Sequence, residues 1–122
     1  MGYRSKVRIV TTKEGYDLMR DFVDAHTEEG EPRLIGRDVE PEIFDEHLGS
    51  VVFGWNDVNW YVEVREVRCV EDALLRLCDE CIPYCKVRVG ADRDDIEVDG
   101  ENCDLPIGVY PVTGIEIVKW ED

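Results

Sequence analysis

A run of apolar residues at helical spacing constrains this chain more than any other feature. Val70, Ala73, Leu74, Leu77, Cys78 and Cys81 recur at intervals of three and four, so an α-helix gathers them on one stripe. A stripe of this kind has to be buried against a second layer, which excludes a chain of strands alone. Glu71 and Asp72 are expected in the first turn, where the helix dipole favours negative charge, and Pro83 is expected to end the helix.

The flanking segments change period. Lys6 to Thr11 alternates, with Val7 and Ile9 on one face and Lys6, Arg8 and Val10 on the other, and reads as a first strand. Thr12 is placed to cap a helix in which Tyr16, Met19, Phe22 and Val23 share a stripe, fraying near Thr27 to Gly30. Residues 28–50 carry no clear period. Glu28 to Pro32 reads as a turn, Arg33 to Val39 as a short strand, and Pro41 to Leu48 as one or two helical turns opened by the proline. Their polar composition predicts a comparatively mobile surface excursion. Val51 to Phe53 and Val58 to Val64 read as extended, with Asn56-Asp57 between them as part of one bent strand, a bulged strand or a tight hairpin. Cys85 to Val89 alternates again. Beyond the polar turn at Gly90 to Asp95, Ile96 and Val98 point one way and Asp95, Glu97 and Asp99 the other, giving a hairpin with one wet, acidic face. Val109 to Trp120 supplies one or two further extended pieces.

These elements assemble most economically as an α+β two-layer sandwich. A mainly antiparallel sheet of about four to five strands carries two helices on one face and leaves the other exposed or open to a partner. At 122 residues the chain is expected to form a single domain over residues 1–122.

Charge narrows the partners. The net charge is −15, from 29 acidic and 14 basic side chains. Residues 21–60 hold eleven acids against Arg33 and Arg37, whereas residues 1–20 hold five bases against two acids. Phosphate binding needs a basic footprint, so direct binding of nucleic acid is not expected and a basic protein surface is the better electrostatic match. No apolar run approaches a membrane span, and no secretory signal is evident at the first residues, so cytoplasmic localisation is expected.

Three constellations bear on chemistry. Cys78, Cys81 and Cys85 have the softness and spacing to ligate zinc or an iron–sulfur cluster, with Cys69 or Cys103 to complete a set; the competing reading is buried free thiols. The Cys78–Cys81 spacing also matches a redox pair. That motif belongs at a helix start, where the dipole activates a thiol, and here it stands at a helix end. Asp92, Asp94, Asp95, Glu97 and Asp99 line the predicted hairpin, but counting from Asp92 puts Glu97 sixth and Cys103 twelfth, where a calcium loop needs glycine and glutamate. The aromatic group Phe53, Trp55, Trp60 and Tyr61 is expected to divide. Some members fill the core, while Trp55 and Trp60 sit at a rim as partner contacts together with Asp94, Asp95, Glu97 and Asp99. Ser5 and Ser50 are the only serines and lack a nucleophile-elbow context. His26 and His47 lie in polar surroundings, and there is no glycine-rich phosphate loop. The expected class is therefore a non-enzymatic binding protein. A structural homo-oligomer and a cysteine-ligated metal protein are the alternatives.

The opening Met1-Gly2-Tyr3-Arg4-Ser5, the central Trp55-Asn56-Asp57-Val58-Asn59-Trp60-Tyr61, and the segments Arg88-Val89-Gly90 and Asp94-Asp95-Ile96-Glu97 carry a resemblance. The chain resembles a family of small uncharacterised proteins of bacteriophages, prophages and their bacterial hosts. The resemblance implies context and carries no catalytic signature. It departs at the cysteine cluster and in the acidic stretch around residues 28–48. Small proteins of this type often bind host machinery, so it implies an acidic inhibitor whose carboxylates imitate the phosphates of a nucleic acid.

Overall fold

The computed structural model describes residues 5–61, 63–90, 95–100, 105, 107–110 and 115–119. In chain order the elements are β1 (Ser5–Thr12), α1 (Lys13–Ala25), β2 (Ile43–His47), β3 (Ser50–Val58), α2 (Arg65–Asp79), β4 (Tyr84–Val89), β5 (Ile96–Gly100), β6 (Ile107–Tyr110) and β7 (Glu116–Lys119). The first five strands form one sheet in the order β2-β3-β1-β4-β5, with every neighbouring pair antiparallel. Each helix crosses over one strand, α1 carrying the chain from β1 past β3 to β2 and α2 carrying it from β3 past β1 to β4. That is the split β-α-β arrangement of ferredoxin-like sandwiches, extended at one edge by β5. The α+β sandwich expected from the sequence is therefore the fold, with five strands and both helices on one face.

Local chemistry explains most element boundaries. The Thr12 hydroxyl accepts from the Gly15 amide at 2.9 Å and caps α1, whose Tyr16, Met19 and Val23 are buried. The second helix begins earlier than its apolar run suggests: Val67 joins the stripe, so Glu66 occupies the first turn in place of Glu71 and Asp72. It ends before Pro83, in a Schellman motif. The amide of Ile82 bonds the Leu77 carbonyl at 2.9 Å, that of Cys81 bonds the Cys78 carbonyl at 3.1 Å, and Cys81 turns the chain at φ 58°.

Residues 28–50 depart most from expectation. Arg33 to Val39 forms no strand; it crosses as bends, with Ile35 fully buried as its anchor. The helical turns expected from Pro41 to Leu48 are instead strand β2, joined to β3 by the two-residue turn Leu48-Gly49. Both turn residues have positive φ, 50° and 80°, which matches the right-handed twist of a hairpin. Of the three readings for Val51 to Val64, one strand is observed. It is the bulged one: β3 continues through Asn56-Asp57, where its pairing with β1 slips by one residue between Ser5–Val58 and Val7–Trp55, and residues 59–61 lie outside the sheet. Gly54 fits there because a Cβ would lie 1.8 Å from the Val7 carbonyl oxygen.

Two cores flank the sheet. On the helix side, Val7, Ile9, Val51 and Phe53 meet Met19, Val23, Val70, Leu74 and Leu77. On the other side, Val10, Val52, Cys85 and Val87 meet Leu105 and Val109, with Ile115 and Ile117 packed against them. The second sheet face is therefore not left open: the β6–β7 hairpin covers its centre.

Candidate functional site

The helix-facing surface of the sheet changes character between β1 and β4. Opposite Val7, Ile9 and Thr11 stand Arg88, Lys86 and Tyr84. Lys86 is only 1% exposed, and its Nζ lies 2.6 Å from Glu71 Oε1 on α2 and 2.7 Å from Glu97 Oε1 on β5. The ring of Trp60 lies 5.8 Å from the same ammonium. Burying an unpaired ammonium would cost several kcal/mol, roughly, and two charge-assisted hydrogen bonds offset that penalty. Next to it, the Arg88 guanidinium grips Asp95 in a two-point contact of 2.7 and 3.2 Å and donates to Ser5 Oγ at 3.2 Å. This pairing holds the Asp95 carboxyl below its ordinary value and raises Arg88. The Tyr84 hydroxyl donates to both oxygens of Asp99 at 3.3 Å; burial, then the charge of Asp99, pushes its pKa up to about 12.

This ladder revises the acidic hairpin. Asp95, Glu97 and Asp99 do share a face, but that face looks toward α2 and is engaged by β4; Glu97 is paired yet still exposed, as are Ile96 and Val98 on the opposite face, at 43% and 53%. Cross-strand pairing of opposite charges was readable in the sequence once the hairpin was accepted. The burial of Lys86 was not, because lysine is almost always at the surface. Asp92, Asp94, Cys103 and Trp120 lie outside the described residues.

Trp55 and Trp60 are not rim residues. Each is 7% exposed, and the two indoles lie 5.5 Å apart, with Phe53 edge-on to Trp55 at 5.9 Å. A strand that enters the core with Phe53 and Trp55 on the same face carries both inward together. Tyr61, at 38%, is the exposed member of the group. The cysteines also separate. Cys85 is buried in the core behind the sheet, where burial pushes its thiol up to about 11, while Cys78 and Cys81 are exposed at the end of α2 and Cys69 is half-buried. Among the described residues no group of three or more His, Cys, Asp or Glu is arranged to hold a metal ion.

Two shallow grooves, each about 470 Å³, border α2. One runs between the end of α1 and the start of α2 and is lined by Phe22, His26, Thr27, Pro32, Arg68 and Cys69 among others. His26 stacks on Phe22 at 4.0 Å and its Nδ1 lies 2.8 Å from the Phe22 carbonyl oxygen, while Cys69 Sγ lies 3.6 Å from the Thr27 hydroxyl. The imidazole and thiol thus each have a local partner, and no hydrogen bond joins them. The other groove, beside the Lys86 ladder, is lined by Glu63, Arg68, Glu71, Asp72, Leu75 and Asp99.

Outside the ladder, several cations are held by carboxylates. Arg33 pairs with Asp24 at 2.6 Å, Arg37 with Asp21 at 2.8 Å, Arg65 with Glu31 at 2.5 Å and Arg76 with Glu80 at 2.9 Å. Lys119 is bonded to Asp45. Glu28, Glu29, Asp38, Glu40 and Glu42 are exposed in the same region. No family model, curated protein or solved structure matches the chain.

Proposed function

We propose that this chain is a non-enzymatic acidic binding protein of phage or prophage type, presenting carboxylates to a basic protein surface in place of nucleic-acid phosphates. One observation carries the reading: among the described residues, nine lysines and arginines are already paired with carboxylates of the same chain, within a net charge of −15. Internal pairing leaves the outward field to the surplus acids. Such a field steers and selects a basic partner. The segment from Glu28 to Glu42 is the natural contact, because the β5 acids are engaged by Lys86, Arg88 and Tyr84.

Affinity capture from a bacterial host extract, repeated at low and high salt, tests this. The expected partner is a basic nucleic-acid-binding protein, released by salt and displaced by duplex DNA. Recovery of neutral partners alone, or binding indifferent to salt, contradicts it.

A second reading rests on Ile96 and Val98, two exposed apolar side chains on an edge strand, which suit self-association through β5. Sedimentation at high protein concentration separates the two: a monomer removes the homo-oligomer.

A further inference from the structure

The end of α2 holds two thiols that neither the fold nor the proposed binding surface uses. Cys78 and Cys81 are both exposed and both free. The Cys81 amide bonds the Cys78 carbonyl at 3.1 Å, closing a turn with these two residues at its ends. A hydrogen-bonded turn of this size keeps the Cα atoms of its end residues within about 7 Å, and a disulfide spans Cα separations of roughly 4.4–6.8 Å. Cys81 also occupies the left-handed position of the Schellman motif, at φ 58°, where glycine is the residue of least strain. A thiol at that position, one turn from another exposed thiol, does nothing for core packing. Cys85, the next cysteine along, is 1% exposed behind the sheet and is no competitor for the bond.

We propose that Cys78 and Cys81 are a reversible oxidation site that closes into an intramolecular disulfide on exchange with a low-molecular-weight disulfide. One thiolate attacks the small disulfide, forms a mixed disulfide and releases one small thiol. The second cysteine attacks the protein sulfur of that mixed disulfide and releases the other. The two protein thiols are oxidised by two electrons, one small disulfide is reduced to two thiols, and the two protons go to the departing thiolates. The closed ring braces the Schellman turn that joins α2 to β4.

The test equilibrates the full-length protein in glutathione buffers of stepped oxidised-to-reduced ratio, alkylates the remaining thiols and reads intact mass and fragment ions. The expected product is a monomer lacking two alkyl groups and about 2 Da of hydrogen, with fragments placing the bond between Cys78 and Cys81. Cys78→Ser is expected to abolish that product and leave Cys81 as a glutathione adduct. The proposal is overturned if both thiols stay alkylated across the series, or if each carries its own glutathione. It is equally overturned if the bond forms to another cysteine or another chain, or if Cys78→Ser still loses two thiols.

Discussion

Two acidic regions of this molecule use the same residue types in opposite ways. On β5, Asp95, Glu97 and Asp99 face the helix layer, where Arg88, Lys86 and Tyr84 hold them. Around residues 28–42, Glu28, Glu29, Asp38 and Glu40 face water, while the segment is fastened by Ile35 in the core, by Arg33 and Arg37 pairing with Asp24 and Asp21 of α1, and by Glu42, whose carboxylate accepts from the Asn56 amide at 2.7 Å. The first set is structural, because it supplies hydrogen-bond partners to a buried lysine and ties the edge strand to α2. The second contributes field without holding the fold. Counting acids along the chain does not separate the two roles; asking which cation each carboxylate reaches does.

The largest expected effect breaks the structural set. Glu71→Ala combined with Glu97→Ala strips the buried Lys86 of both carboxylates that pair with it, and unfolding in urea should show a loss of about 3–5 kcal/mol. Lys86→Met reverses the asymmetry. Its orphaned carboxylates are 26% and 47% exposed and regain water, so a smaller loss of about 1–3 kcal/mol is expected. A loss from Lys86→Met equal to that of the double variant would mean that the ladder is not organised around the lysine.

Acid titration sharpens the comparison next. The folded-state pKa of Asp95 is depressed by Arg88, so its pair contributes stability above the ordinary carboxylate pKa, and that contribution is lost as pH falls through the depressed value. Asp95→Asn should therefore flatten the stability profile below about pH 4 and leave its shape near neutrality unchanged. Tyr84 has the opposite sense. Its pKa is raised to about 12, so stability is expected to fall as pH climbs from about 10 toward that value, and Tyr84→Phe should remove the fall. The smallest effect on the fold is expected at the outer set. Neutralising Glu28, Glu29, Asp38 and Glu40 to their amides should change unfolding free energy by no more than about 0.5 kcal/mol.

Much of the architecture was legible in the sequence, and the failures are local. β1, the Thr12 cap, the stripe of α2 and the β4–β5 hairpin each carry an undiluted period or cap signal. β2 does not: Asp45, Glu46 and His47 are poor strand residues, and Leu48 is an unusual occupant of a position with φ 50°. Cys78 and Cys81 sat on the apolar stripe by counting, yet the buried line runs through Val67, Val70, Leu74 and Leu77, and the helix ends at Asp79. The candidate site was half visible. Its carboxylates were named, but the lysine that gives them a role gave no sign of being buried, and the tryptophans assigned to the rim belong to the core.

The most direct measurement takes the basic partner recovered by capture and compares its affinity for two variants at one salt concentration. One variant carries Glu28→Gln, Glu29→Gln, Asp38→Asn and Glu40→Gln; the other carries Asp95→Asn and Glu97→Gln. The expected result is a loss of about tenfold or more for the first at an unchanged unfolding midpoint, with the second losing stability and binding within about twofold of the unaltered chain while folded. The contradictory result is full affinity in the first variant together with lost affinity in the second, which would place the contact on β5 and leave the outer acids with no more than solubility to explain them.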